Sequence, residues 1–459
     1  MPPPNYIYSL LMGNIAQPQP ESIAETMPVA EPPAPPAWSL LHRILFRFLF
    51  VYLILYIAPT LVNAIPGVSK LGQFYFRAWH ALVPWVAIHI FHLSGQPTTY
   101  FVTGSGDTTL AYIQNLCYLV FALAATIVWS LVDRRRRDYR KLHAWLRIAV
   151  RYTLALTMFG YGFAKVFPLQ FRFPGLAKLI EPYGDFSPMG VLWSFMGAST
   201  AYIIFTGAVE VTGGALLLFR RTTTLGALVS GAALLNIVML NFCYDVPVKI
   251  YSMNLLFEAI FLMSPDLRRL LDLLILNRPA APADLGSLPL GPLEKYRWMR
   301  FAAAGVKLLF IGYVLFNHVN YGWKNYKQVR YPDNPPLYGL YDVEKFTQNG
   351  HELPPLTTDA TRWRKVAVQF PGFITVRAMD DSQRGFSAEY GKGANTVTLS
   401  QGKSPKSVFT YTRPDADHVL LEGTLANNAL SIQMRKIDTS KFLLVSRGFH
   451  WISEFPFNR

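Results

Sequence analysis

The sequence predicts a bundle of about seven transmembrane helices followed by a small all-β barrel or sandwich, and three features point that way. Hydrophobic residues make up 51% of the 459 and charged residues only 15%, whereas a soluble domain carries about 25% charged residues. Long apolar runs lie between residues 44 and 318, while both ends of the chain are polar. Past Asn320 those runs give way to short alternating segments punctuated by turn residues, the pattern of short strands. The chain accordingly divides into a tail (1–40), a membrane domain (41–320) and a β-rich domain (321–459).

The first 37 residues are rich in proline and lack a charged segment leading into an apolar core. A cleavable signal peptide is therefore not expected, and the segment reads as a flexible cytoplasmic tail. Seven spans follow, at approximately 44–64, 110–131, 148–168, 195–219, 223–243, 249–264 and 301–318. Most approach the roughly 20 residues that a bilayer requires. Basic residues test the count. Arg43 and Arg47, the seven bases within 134–147, Arg220 and Arg221, and a fourth group from Arg268 to Arg300 all fall in alternate loops. Those loops share the cytoplasmic side if the N-terminus is inside and the C-terminus outside. A bacterial inner membrane is the expected location, with the C-terminal domain periplasmic or extracellular. Residues 76–94 are apolar enough for another span, but that span would place Arg134–Arg137 outside. The stretch is read as an interfacial helix in the outer leaflet, where its tryptophans prefer to sit.

Eight strands are expected in the last domain, at 363–369, 372–378, 386–390, 395–400, 407–412, 418–423, 429–435 and 441–447. Regular short strands of this kind close into a barrel or pair into a sandwich. Trp363 and Arg447, on the first and last of them, suggest a stack across one barrel end.

The net charge of +15 would suit nucleic acid, but the bases concentrate beside apolar runs, so nucleic-acid binding is not expected. Cys117 and Cys243 are the two cysteines. Without CxxC or CxxCH spacing they indicate no covalent cofactor and no metal site. Their different depths along the spans suggest free thiols.

A charge in the bilayer interior costs about 2.5–3.5 kcal/mol, so each one within a span needs an account. Arg151 lies near the inner end of the third span and Lys165 near its outer end, about 21 Å away along the helix. Glu210 and Glu258 sit at mid-depth in the fourth and sixth spans, and Asn236 lies somewhat outward in the fifth. Outside, Gly104-Ser105-Gly106-Asp107-Thr108 suits a tight turn into a helix, and Asn241 to Lys249 forms the loop between the fifth and sixth spans. The functional expectation is an outward-facing pocket lined by Lys165, Asn241, Asp245 and Lys249, with Glu210 and Glu258 below it, that binds a ligand or relays protons. Mutual pairing that locks the bundle is the alternative for Glu210 and Glu258. For Arg151 and Lys307, snorkelling to the inner surface is the expectation. His89 and His92 share a helical face by spacing, and polar contact at the interface is expected of them rather than metal.

Arg151-x10-Gly162-x2-Lys165 with the following Pro168 resembles the opening helix of the DoxX family of bacterial membrane proteins. Gly207-x2-Glu210-x2-Gly213-Gly214-Ala215-Leu216-Leu217-Leu218 resembles that family's second helix. The resemblance covers residues 147–265 and leaves three spans and the β domain outside it. It implies importance for Arg151, Gly162, Lys165 and Glu210, and it implies association with quinone-linked oxidoreductases such as the small subunit of a thiosulfate:quinone oxidoreductase. A more distant similarity, to the membrane domain of vitamin K-dependent carboxylase, implies a small-molecule site in the outer leaflet. The chain shows no flavin, haem or iron–sulfur signature, so a redox role requires a partner or a diffusible quinone. The expected function is a redox-associated protein binding a quinone or lipid-like ligand. The alternative is a non-catalytic subunit of an envelope complex whose β domain docks membrane or periplasmic partners.

Overall fold

The computed structural model describes residues 37–64, 69–95, 98–100, 103–283, 297–330, 333–391, 393–402 and 404–458. The proline-rich tail expected at 1–40 lies almost wholly outside them. The helical part runs through α1 (Leu40–Ala64), α2 (Ser69–His89), α3 (Thr109–Val132), α4 (Arg140–Val166), α5 (Leu176–Leu179), α6 (Pro188–Ala198), α7 (Thr200–Leu217), α8 (Thr223–Cys243), α9 (Lys249–Met263), α10 (Leu267–Leu274) and α11 (Arg297–Arg330). Among the described residues, five segments are long and apolar enough to cross a membrane: Leu40–Val62, Thr109–Val132, Thr200–Leu217, Arg220–Cys243 and Phe301–Arg330.

Two of the expected seven spans, α4 and α9, do not reach that standard, and their place in the bundle gives the reason. Helix α4 packs against α1, α7, α9 and α11. Neighbouring helices surround it, so it can carry Arg151 and Lys165 buried within the bundle. Helix α9 has only 15 residues and buries Ser252, Asn254 and Glu258. Their polarity is spent on neighbouring helices and not on lipid.

Close approach of α4 and α7 rests on missing side chains. A Cβ on Gly162 would lie 2.9 Å from the Gly207 carbonyl oxygen, and one on Gly207 would lie 2.6 Å from that of Gly162. At the end where α1 begins, the buried Arg47 donates to Tyr139 Oη, Ser130 Oγ and the Asp133 carbonyl, tying α1 to the α3–α4 turn. The Arg134–Arg137 cluster lies at this arginine end of the bundle.

Two sequence boundaries move. The expected span 195–219 is broken at Ser199, whose extended backbone and side-chain oxygen, accepting from Tyr202 N–H, cap α7. Residues 195–198 belong instead to the short α6. The apolar stretch 76–94 is helical only to His89, and His92 has φ of 52°. His89 and His92 therefore share no helical face. His89 stacks on Trp85, and Trp79 packs edge-on against Tyr118 and Phe121 of α3.

The β domain comprises β1 (Gly339–Gln348), β2 (His351–Glu352), β3 (Trp363–Phe370), β4 (Phe373–Ala378), β5 (Gln383–Tyr390), β6 (Thr396–Ser400), β7 (Ser407–Thr412), β8 (His418–Leu425) and β9 (Asn428–Lys436). All neighbours are antiparallel in a simple meander, and β9 returns to pair with β1, from Tyr341 with Lys436 to Gln348 with Leu430. Eight strands thus form a closed antiparallel barrel, with β2 a short appendage on β1. Closure leaves no exposed edge. Alternating residues point into the barrel and form its buried core, among them Phe346, Trp363, Phe386, Phe409, Leu421 and Ile432.

The strand count agrees with expectation but its membership does not. The expected strand 441–447 is a 3₁₀ turn (Thr439–Lys441) and a short helix α12 (Leu443–Ser446). The closing strand is β1, which the sequence reading missed because its apolar alternation is interrupted by a bulge between Val343 and Lys345. The expected stack of Trp363 on Arg447 is absent accordingly. Trp363 lies near Phe346 and Phe386 in the barrel, and the Arg447 guanidinium covers the Phe457 ring.

Barrel and bundle meet through the connection between α4 and α6. Leu176, the first residue of α5, packs with Leu340 and Ala367 of the barrel, and Ile180, Ile437 and Phe442 complete the cluster. Gln369 Oε1 accepts from Leu176 N–H at 2.8 Å, acting as the α5 cap. Asp185 lies 4.0 Å from Arg377.

Candidate functional site

A cavity of about 440 Å³ lies among α4, α6, α7, α8 and α9, toward the barrel end of the bundle. Its walls are chiefly apolar and aromatic, with Met158, Tyr161, Trp193, Phe205, Leu234 and Tyr251 among them. Such a volume falls within the roughly 300–1,000 Å³ typical of small-molecule pockets.

The most polar feature of its wall is an ion pair. Lys165 Nζ donates to Glu210 Oε1 at 2.8 Å and Oε2 at 2.9 Å, and both residues are buried. The Lys165 ammonium also lies 5.6 Å from the centre of the Tyr161 ring. The glycine contact between α4 and α7 positions this pair, because Lys165 and Glu210 follow Gly162 and Gly207 by three residues each. Three residues on one helix is nearly a full turn, so each side chain stands just beyond the point where the backbones touch.

Asn241 and Asn236 also line the cavity. Asn241 Nδ2 donates to Ser252 Oγ at 2.9 Å, joining α8 to α9 across the wall. Asn236 is exposed on α8. Lys165, Glu210, Asn236 and Asn241 are thus brought to one cavity.

Four other candidates lie elsewhere. Asp245 and Lys249 do not line the cavity: Lys249 Nζ pairs with Asp245 at 2.9 Å and lies 3.8 Å from Asp107. Asp107 caps α9 from a distance in sequence, its carboxylate accepting from Lys249 N–H at 2.8 Å and Ile250 N–H at 3.1 Å. Val248, the residue preceding α9, has no capping side chain, so Asp107 supplies that function. The expected turn into α3 is made by Thr108, which accepts from Ala111 N–H.

Glu258 is 2% exposed and sits apart from the cavity, with Thr153 Oγ1 at 3.5 Å. A polar cluster lies one turn nearer the barrel end, where Tyr52 Oη donates to Asn254 Oδ1 and Asn115 bridges to both. Arg151 stays buried, contrary to the snorkelling expectation. It reaches Thr223 Oγ1 at 3.3 Å and lies over the Tyr152 ring. Lys307 rests its ammonium on the Phe219 ring. Cys117 is buried and Cys243 exposed, both as free thiols. No group of three or more metal-ligating side chains occurs among the described residues.

The sequence reading missed the cavity's cover. Gln170, Phe171, Met189, Leu192, Trp193 and Met196 come from the α4–α6 connection and α6 itself. The available signal was Ser187-Pro188, a cap and first-position proline that announce a helix start.

The fold is a helical bundle with five helices long and apolar enough to cross a membrane among the described residues, followed by a closed β barrel, with a cavity inside the bundle. The chain is 31% identical over 128 residues to the uncharacterized protein YwoB of Bacillus subtilis (strain 168), a match spanning 26% of this chain and 75% of that protein. The chain belongs to the family of YwoB. No family model matches the chain. No solved structure matches it.

Proposed function

We propose that this protein binds a membrane-soluble amphiphile, a quinone or lipid-like molecule, in the cavity among α4, α6, α7, α8 and α9. The observation that carries the reading is a buried Lys165–Glu210 pair set in an otherwise apolar and aromatic wall. Apolar walls accept a ring or chain, and an ammonium already desolvated by the bundle gives a carbonyl or headgroup oxygen a strong donor. Asn236 and Asn241 add amide groups that fix orientation. In this reading all seven expected helices cross the bilayer, with the arginine end cytoplasmic. The resemblance to the DoxX family, through Gly162, Lys165, Gly207 and Glu210, favours a quinone. Any redox role draws its electrons from a partner protein.

A second reading has its own observation. The two bonds between Lys165 and Glu210 satisfy both charges mutually, as a lock between α4 and α7 would. The protein would then be a non-catalytic subunit of an envelope complex, with the barrel docking a partner.

The double substitution Lys165→Met with Glu210→Gln separates the two. Protein extracted from native membranes should carry a quinone or lipid detectable by mass spectrometry. The double variant, and an Ala233→Trp variant that fills the cavity, should fold and lose it. Wild-type protein without such a molecule, together with full partner assembly by the double variant, would favour the second reading.

A further inference from the structure

The chain continues past the barrel. After β9 the backbone stays on the seam: Ile437 N–H donates to the Leu340 carbonyl at 2.7 Å, and Ile437 and Phe442 pack into the cluster around Leu176. This seam is the barrel end that faces the bundle. The β8–β9 turn at Ala426 and Asn427 lies at the opposite end of the strands.

From the seam the chain runs through α12 and on to residue 458 with a run of large apolar side chains turned outward. Leu443, Leu444, Phe449, Trp451, Ile452 and Phe455 are all exposed, Trp451 by 91%. A soluble surface scatters such residues singly; a contiguous run marks something to be covered. The tail has internal order of its own, with Phe449 packed edge-on to Trp451 and Arg447 over Phe457. Its charges nearly balance, Asp438 and Glu454 against Lys441, Arg447 and Arg459.

We propose that residues 443–458 lie in the headgroup region of the bilayer as an interfacial anchor, beside the helix ends on which the barrel sits. The observations favour lipid over a protein partner on three counts. The segment is continuous with the bundle–barrel seam and so begins at the membrane-facing end of the barrel. Its content of Trp and Phe matches the belt that aromatic side chains form at membrane interfaces. Its balanced charge assigns the attraction to buried apolar area and not to anionic headgroups. The anchor would give the barrel a second tether besides the α5 contact, limiting its tilt over the helices.

The test uses the full-length protein in phosphatidylcholine vesicles. An environment-sensitive fluorophore is placed by Phe455→Cys, and as a control by Asn427→Cys, in a Cys117→Ser, Cys243→Ser background. The label at 455 should emit at shorter wavelength than the label at 427. Lipids brominated near the headgroup should quench it several-fold more than they quench the control, and molar salt should leave this unchanged. If replacing Cys117 prevents folding, the difference in intrinsic fluorescence between wild type and Trp451→Phe reads the same quenching in the unmodified background. A label at 455 as solvent-exposed as that at 427, or quenching equal at both sites, would overturn the proposal. So would quenching that disappears in salt or requires anionic lipid.

Discussion

At the scale of single residues, the Lys165–Glu210 pair separates cost from role. Either substitution alone, Lys165→Met or Glu210→Gln, removes one partner of a buried pair. The remaining group is then desolvated without its counterpart, which costs about 3–5 kcal/mol when a charge is stranded. The double variant strands nothing and should recover most of that loss in thermal unfolding measured in detergent. A double variant as unstable as either single one would mean that the pair itself holds α4 to α7. Asp107 offers a smaller effect. Asp107→Ala removes the borrowed cap of α9 and should cost about 1 kcal/mol. Faster amide exchange at Lys249 and Ile250, with the rest of α9 unchanged, would localise the loss to its first turn. Sequence reading identified both groups but gave Asp107 the wrong helix. Thr108 caps the helix adjacent in sequence, while Asp107 caps one 142 residues away that only folding brings near.

At the scale of elements, the segment between α4 and α7 has two duties. Its first half seats the barrel through Leu176 and Asp185, and its second half covers the cavity through Leu192 and Trp193. Loosening the seat should therefore be felt at the cover. Gln369→Ala combined with Arg377→Ala removes the α5 cap and the contact to Asp185. The expected outcome is faster limited proteolysis between residues 170 and 190, with the barrel core intact. Equal cleavage rates in variant and wild type would mean that packing around Leu340 alone holds the seam. Helix α11 behaves differently. Its 34 residues extend about 50 Å, beyond the roughly 30 Å of a bilayer core, and little of it is buried. It touches the bundle mainly along α4, where His318 meets Phe159 and Phe163 and Gly322 meets Phe167. Its length lets it cross and still carry the chain toward the barrel.

At the scale of the whole molecule, two cores of different kinds share one seam. The bundle is held by side chains packed within helices whose other faces are apolar, and the barrel by an interior excluded from water. The barrel should accordingly be the acid-sensitive part. In its loops the Thr361 hydroxyl and backbone N–H groups hold the Asp359 carboxyl below its ordinary range, and Ser382 does the same for Asp380. Asp415 is lowered by the backbone N–H groups of Asp417 and His418, and by the His418 side chain. A carboxyl lowered on folding stabilises the fold above its unfolded pKa, about 3.9 for aspartate. That contribution is lost as pH falls from about 4 through the folded values. Circular dichroism of the full chain should show near-UV aromatic signal from the barrel lost on acidification in that window while the far-UV helical signal persists. Asp359→Asn should make the acid loss shallower; an unchanged profile would refute the role of these loops.

Composition and local pattern were enough to determine that this chain is a membrane-type helical bundle followed by a small β barrel. Apolar runs and alternation are properties of neighbouring residues, and both survive without knowledge of the fold. Two of the seven expected spans, α4 and α9, fall short of the length and apolarity of a membrane-crossing helix, and their polar residues are tolerable because other helices surround them. The local signals also read one strand at 441–447 that is absent and missed β1, whose alternation a bulge interrupts and whose place in the barrel is fixed by pairing with β9 some 90 residues away. Lys165, Glu210, Asn236 and Asn241 were identifiable as polar groups out of place. That they meet at one cavity, while Asp245, Lys249 and Glu258 do not, was decided by tertiary structure, through the glycine contact between α4 and α7 and the α6 cover that encloses the space.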